Sequence, residues 1–207
     1  MKVAQELYEG VDIEGMGATG LITYMRTDSL RISDVAKEEA AQYILNRFGE
    51  KFLPAKPRVF KTKSNAQDGH EAIRPSMPSL SPEDVKASLT SDQFKLYNLI
   101  WNRFMASQMS DCIQKTTQAE ISAKEYIFKA SGYYVDFEGF TTLYVESKDT
   151  EEEKSTQLPP LEKDMPVKCK ELKKNQHFTQ PPARYTEASL IKALEEYGIG
   201  RPSTYAA

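Results

Sequence analysis

The sequence predicts an α+β protein of more than one domain, because helical and strand-like patterns occupy successive parts of its 207 residues. Over the first half of the chain, apolar residues recur at helical spacing between capping residues and glycines. From residue 111, β-branched and aromatic residues alternate with polar ones, as in antiparallel strands. A final helical pattern then follows. We therefore expect a helical domain over 1–110, a β segment over 111–182 and the beginning of a further helical domain over 183–207.

The predicted helical domain has recognisable helix starts and stops. A first helix is expected over residues 2–9, "KVAQELYE". Ser33 is a suitable N-cap for a second helix, which Gly49 would end. A long helix is expected from 92 to 109, and its broad apolar face is typical of a buried core. The short run "LITYM", which begins at Leu21, reads as a strand.

Turns are expected in the β segment at "SGYY" (131–134) and "FEGF" (137–140), with another strand over 167–178. The last helix is predicted to begin after the Thr186 cap and to stop at Gly198.

Composition excludes several classes of protein. No apolar run is long enough to cross a bilayer, and the first ten residues lack the apolar core of a signal peptide. The two cysteines are far apart in sequence, which argues against a disulfide framework or a structural zinc site and indicates a cytoplasmic protein. The net charge of −3 suggests no polyanionic partner, but residues 47–63 are locally basic. That stretch is either a phosphate-binding surface or a solvated loop.

The stretch "YMRTDS" contains a candidate nucleophile, Tyr24. Phenol is a weak nucleophile at neutral pH, and a nearby guanidinium such as that of Arg26 stabilises the phenolate and can clamp a phosphate. In an extended backbone Tyr24, Arg26 and Asp28 would share one face. On spacing alone, a packing tyrosine beside surface charges is the more ordinary interpretation.

Two further motifs offer phosphate-binding groups. "DGHEAIRPS" (68–76) lies in a long irregular loop and contains His70 and Arg74, and protonated histidine can donate to a phosphate oxygen. "GIGRPSTY" (198–205) contains Arg201, Ser203 and Thr204, a cation and two hydroxyls suited to sugar-phosphate contacts. The ordinary alternatives are an exposed histidine and the cap of a next helix.

Taken together and in this order, "ITYMRTDS", "HEAIRPS" and "PPARYTEASLIKALEEYGIGRPSTYA" resemble the bacterial type IA DNA topoisomerases, in the topoisomerase I branch. The resemblance also includes "KVAQELYEG" and "RFMASQMS", and it is weakest around residues 120–175. It implies that the β segment belongs to the arch of that fold. It further implies an ATP-independent isomerase acting on single-stranded or negatively supercoiled DNA in the bacterial nucleoid.

The resemblance also implies a role for each motif residue. Tyr24 matches the tyrosine that attacks one DNA strand, leaving a 5′-phosphotyrosine and a free 3′-hydroxyl. Arg26 would hold the scissile phosphate, and His70 would bind a neighbouring phosphate with Asp28 orienting it. Arg74 is assigned to DNA binding. The same is expected of the C-terminal group (Arg201, Ser203 and Thr204).

The family's TOPRIM domain, whose acids bind Mg²⁺, has no counterpart in these residues. We therefore expect an internal fragment that holds no metal itself and is inactive without the TOPRIM domain of the same polypeptide. Two alternatives stay open: a noncatalytic module that binds single-stranded DNA or another partner, and a structural domain without a nucleic-acid role.

Overall fold

The computed structural model describes residues 1–60, 69–145, 158–201 and 204–205. Over these residues the chain forms five α-helices and two antiparallel two-stranded sheets, which confirms the α+β class. The helices are α1 (Lys2–Glu9), α2 (Asp34–Phe48), α3 (Pro82–Val85), α4 (Ser91–Gln108) and α5 (Glu187–Glu196). The strands are β1 (Val11–Ile13), β2 (Gly17–Thr19), β3 (Ile113–Ala123) and β4 (Tyr126–Phe137). Short 3₁₀ turns cover Glu50–Phe52, Lys86–Ser88 and Gly139–Thr142.

The helix ends lie where the capping residues predict them. The Ser33 hydroxyl accepts a hydrogen bond from the Ala36 amide at the start of α2, and Gly49 ends that helix with φ 94°. Thr186 caps α5 in the same way by accepting from the Ser189 amide. These side chains satisfy amide groups that the first turn of a helix cannot pair internally.

Helix α4 lies at the centre of the core. Its Tyr97 side chain is fully buried, and the hydroxyl donates to the Leu80 carbonyl at 2.7 Å. The Trp101 indole Nε1 donates to the Pro78 carbonyl at 3.0 Å. The polar atoms of both aromatic side chains are therefore paired inside the core, as burial requires. Other buried side chains include Leu7, Leu21, Ile22, Ala40, Ile44, Val85, Met105 and Met109.

Strands β3 and β4 form one long hairpin, paired from Ile113↔Phe137 to Ala123↔Tyr126. The turn lies at Lys124, whose φ of 54° is in the left-handed region. The predicted turn at 131–134 is wrong, because those residues pair within β4. Gly132 removes only one side chain from that strand and does not interrupt its hydrogen bonds.

Two other predicted strands are absent. Residues 167–178 contain no strand, and the apolar side chains there, such as Val167, Leu172 and Phe178, are exposed. β propensity without a neighbouring strand to pair with does not produce a sheet. The "LITYM" run makes a single bridge, from Ile22 to Pro75, and then bends at Met25.

The base of the hairpin lies close to the end of α4. The Phe140 amide donates to the Ser110 carbonyl at 2.9 Å. Gly139 adopts φ 51°, and a Cβ there would lie 2.4 Å from the Asp111 carbonyl oxygen. Any larger residue would separate the two segments, so a glycine is required at this junction.

No helix in the described part of the chain combines the length and the apolarity that a membrane span needs.

Candidate active site

Tyr24 follows a short segment that is anchored on both sides. The Leu21 amide donates to the Leu7 carbonyl at 2.7 Å, which fixes the segment to the end of α1. The Thr23 amide donates to the Arg74 carbonyl at 2.9 Å, which fixes it to the histidine loop. Leu21 and Ile22 are buried in the core. The backbone before Tyr24 is therefore held in place, while the tyrosine itself points out of the core.

The Tyr24 ring lies between two other rings and remains open to solvent. Its centroid is 5.5 Å from that of Tyr8, in an edge-to-face arrangement, and 5.1 Å from that of His70. The side chain is 36% exposed. Tyr24 therefore differs from Tyr97, which is sealed in the core: its ring contacts two other rings, and the residue is partly exposed to solvent.

Arg26 is exposed just after the bend at Met25. Within the described residues, no ion pair joins its guanidinium to a carboxylate. Asp28 is half-buried, and the described residues show no hydrogen bond or ion pair between it and His70. The backbone bends at residues 25 and 26, so this segment is not the extended strand in which Tyr24, Arg26 and Asp28 would share one face.

The histidine loop is tied to the tyrosine segment by several hydrogen bonds. The Thr23 hydroxyl donates to the Ala72 carbonyl at 2.7 Å and accepts from the Arg74 amide at 3.0 Å. The Ala72 amide donates to the Arg31 carbonyl at 2.8 Å. These contacts at Ala72 and Arg74 hold the loop just after His70 against the tyrosine segment, and the His70 imidazole lies beside the Tyr24 ring.

Arg74 is buried, with an exposed fraction of 8%. Its guanidinium donates to the Glu71 carboxylate through Nε and Nη2 and to the Pro75 carbonyl through Nη1. Nη2 also donates to the hydroxyl of Ser33, the residue that caps α2. The Arg74 guanidinium therefore forms its hydrogen bonds within the protein, in contrast to the exposed cation expected of a DNA-binding residue.

The "GIGRPSTY" segment lies across a cleft from Asp28. The cleft has a volume of about 570 Å³, and its walls include Asp28, Ile73, Glu195 and Arg201. Thr204 is exposed, and its hydroxyl accepts from the Arg201 amide and donates to the Arg201 carbonyl, both at 3.0 Å. That hydroxyl shapes a local turn. Ser203 lies outside the described residues.

Comparison with known proteins establishes the family. A sequence model of the DNA topoisomerase family matches residues 1–207. The fold matches full-length topoisomerase I from Thermotoga maritima with a TM-score of 0.73 and 37% sequence identity. The chain belongs to the bacterial type IA DNA topoisomerases. That alignment covers 100% of this chain and 32% of the Thermotoga maritima chain, so the chain spans about a third of that relative's length.

In this topoisomerase chain, the motifs predicted no role for three residues around the nucleophile candidate. Tyr8 contacts the Tyr24 ring, Thr23 bonds the two motifs together, and Glu71 pairs with Arg74. Thr23 and Glu71 lie inside the quoted motifs, beside residues that were singled out. No local sequence pattern predicts the contact of Tyr8, because only the tertiary fold brings the end of α1 against residue 24.

The described residues do not fit a Mg²⁺ site. No group of three or more histidine, cysteine, aspartate or glutamate side chains within them could hold a metal ion. Asp28 faces a cleft with Glu195, but the cation Arg201 is also on its wall.

Proposed function

We propose that this chain carries the nucleophile of an enzyme that relaxes negatively supercoiled DNA. The observation that supports this proposal is the contact between the exposed Tyr24 ring and the His70 imidazole, at 5.1 Å. Two motifs 46 positions apart thereby meet at one point of the surface. Arg26, whose guanidinium faces solvent, completes a set of side chains suited to a phosphodiester.

In the proposed cleavage step, Tyr24 Oη forms a bond to phosphorus and the bond from phosphorus to the 3′-oxygen breaks. The phenol loses its proton, and the departing 3′-oxygen gains one. The products are a 5′-phosphotyrosine and a free 3′-hydroxyl. Attack of that hydroxyl on the phosphotyrosine rejoins the strand after another strand has passed. The phosphodiester energy is retained in the covalent link, so no ATP is needed.

The other side chains would act on phosphate groups. Arg26 would donate two hydrogen bonds to the scissile phosphate and offset the charge that develops on it. His70, when protonated, would donate to a neighbouring phosphate. Asp28 would orient His70 only after a side-chain rearrangement, since the two do not bond in the described structure. Arg201, Ser203 and Thr204 would contact the single strand that leads to Tyr24.

We further propose that residues 1–207 alone neither cleave nor relax DNA. The described residues offer no Mg²⁺ site, and within them no hydrogen bond joins a carboxyl group to Tyr24. The TOPRIM domain of the same polypeptide would supply these groups. We expect the complete enzyme to act in the bacterial nucleoid. The expected result is no covalent adduct between this chain and labelled single-stranded DNA in the presence of Mg²⁺, and an adduct would overturn this part of the proposal.

Replacement of Tyr24 by phenylalanine in the full-length topoisomerase tests the central proposal. Relaxation and covalent adduct formation should both disappear, while binding of single-stranded DNA in a gel shift should persist. Tyr126→Phe, at the exposed first residue of β4, is the matched control and should keep full activity. Relaxation by the Tyr24→Phe protein would reject Tyr24 as nucleophile. DNA binding without any relaxation by the unaltered protein would favour the noncatalytic module.

A further inference from the structure

Arg74 and Glu71 form a largely buried ion pair in the loop that carries His70. The Arg74 side chain is 10% exposed and the Glu71 side chain 20%. Both Nε and Nη2 of Arg74 donate to the same carboxylate oxygen of Glu71. Its Nη1 donates to the Pro75 carbonyl at 2.8 Å. The guanidinium is thus enclosed by acceptors that belong to the protein.

This environment does not suit a phosphate ligand. The charge of Arg74 is already balanced by Glu71, and an approaching phosphate would face that carboxylate. Arginine keeps its proton throughout the accessible pH range, so the pair cannot be relieved by neutralising the cation. Breaking a buried pair leaves an uncompensated charge, which is strongly unfavourable. Arg74 would have to abandon its partner to bind DNA.

The ion pair lies where it can hold the His70 loop in place beside Tyr24. Glu71 directly follows His70, and the backbone of Arg74 bonds to Thr23, the residue before Tyr24. The guanidinium also reaches the Ser33 hydroxyl at the start of α2. The ion pair therefore closes the turn between His70 and the Thr23 contact and joins that turn to a helix.

We propose that Arg74 and Glu71 are positioning residues, which hold the His70 imidazole against Tyr24 and do not themselves touch DNA. This inference rests on the proposed function for its kinetic consequences. It replaces the DNA-binding role that the sequence motif suggests for Arg74. It does not apply to Arg201, which is exposed and remains a candidate for phosphate contact.

Salt dependence of binding separates the two roles of Arg74. Arg74→Lys keeps the charge but loses the planar fork, Arg74→Met removes the charge, and Glu71→Gln keeps an acceptor at the position of the carboxylate. In the full-length topoisomerase, we expect each variant to slow covalent adduct formation at saturating single-stranded DNA by about tenfold or more, while the affinity for DNA and its salt slope stay unchanged. Arg201→Met is the matched control, and loss of one phosphate contact should reduce the slope by about 0.7.

A double-mutant cycle with His70 separates positioning from general support of the fold. If Arg74 acts through His70, Arg74→Met should slow the His70→Ala protein no further. Independent, multiplicative losses would overturn the proposal, as would an Arg74→Met protein with an unchanged rate or a reduced salt slope. Glu71→Gln provides the same cycle should Arg74→Met fail to fold.

A spectroscopic measurement keeps the test independent of activity. In the chain of residues 1–207, the Tyr24 ring should shift the His70 imidazole proton resonances, and Tyr24→Leu identifies that ring-current shift. The shift should be lost in Arg74→Met and in Glu71→Gln, and its persistence in both would overturn the positioning role. If the unaltered full-length protein forms no adduct at Tyr24, the proposed function fails, and this measurement still decides the role of Arg74.

Discussion

Thr23 and Arg74 exchange hydrogen bonds in both directions. The Thr23 amide donates to the Arg74 carbonyl at 2.9 Å, and the Arg74 amide donates to the Thr23 hydroxyl at 3.0 Å. The residues are separated by 51 positions in sequence. This reciprocal pair joins the segment that carries Tyr24 to the loop that carries His70, and so it determines whether the two rings meet.

Thr23→Val should weaken that join without changing the shape of the side chain. The Arg74 amide and the Ala72 carbonyl would lose their hydroxyl partner, and an unpaired buried group costs about 1 to 3 kcal/mol. We expect the free energy of unfolding in urea to fall by that amount in Thr23→Val. Thr23→Ser keeps the hydroxyl and should be nearly as stable as the unaltered chain. A Thr23→Val protein as stable as the unaltered chain would show that the hydroxyl contributes nothing to the join.

Gly20→Ala should displace the tyrosine segment from α1. A Cβ at Gly20 would lie 2.7 Å from the Tyr8 carbonyl oxygen, closer than side-chain carbons approach backbone atoms. Overpacking of this kind typically costs about 1 to 3 kcal/mol. Gly69→Ala is the matched control, since no atom of the described residues lies within 4 Å of its Cβ position. Thermal melts of the two variants should separate clearly, and equal melting temperatures would contradict the close approach.

Tyr8→Ala should slow cleavage by the full-length enzyme if its ring holds Tyr24 in place. Edge-to-face aromatic pairs contribute about 0.5 to 1.5 kcal/mol, which corresponds at most to a rate change of about tenfold. Tyr8→Phe preserves the ring and should preserve the rate of adduct formation. Single-turnover cleavage measures both. A slow Tyr8→Phe protein would instead assign the effect to the Tyr8 hydroxyl.

The stability of the folded chain should fall in alkali because of Tyr97. Burial raises the pKa of the Tyr97 phenol well above its usual range, and the nearby charge of Asp84 raises it further. An unfolded tyrosine has a pKa of about 10. Below that pH the phenol is neutral in both states, and its contribution to the stability of the fold is fully present. Above that pH the unfolded state ionises first, and stability falls by up to about 1.4 kcal/mol per pH unit.

Urea unfolding of Tyr97→Phe at pH 8 and pH 11, set against the unaltered chain, checks this sign. The variant should be less stable at pH 8, because the Leu80 carbonyl loses its donor, and the difference should shrink or reverse at pH 11. Tyr126→Phe, at an exposed site, should show no such change. A constant difference between Tyr97→Phe and the unaltered chain would contradict the raised pKa.

The β3–β4 hairpin should promote self-association of the chain. Among the described residues each of its strands pairs on one side only, and Tyr126, Ile127 and Phe128 are exposed. Unpaired strand edges with apolar side chains are templates for pairing with a second copy. The average mass in light scattering should rise with protein concentration, and Ile127→Lys should reduce the rise. A constant monomer mass would reject this expectation.

Local patterns were sufficient for the helices and insufficient for the strands. Ser33, Gly49 and Thr186 mark real helix ends, because capping is decided by residues within one turn. The expected strand over 167–178 and the expected turn at 131–134 are wrong, because pairing depends on which segment lies alongside. The domain boundaries at 110 and 182 stay a prediction.

The fold class, the helix ends and, through three motifs in order, the membership of the type IA topoisomerases could all be predicted from the order of the residues. The exposure of Tyr24 between Tyr8 and His70, and the pairing of Arg74 with Glu71, could be known only from the folded chain. The two kinds of property differ in the distance along the chain over which they act. A cap or a hydrophobic period acts over a few neighbouring residues, whereas exposure and pairing depend on segments that meet only when the chain has folded.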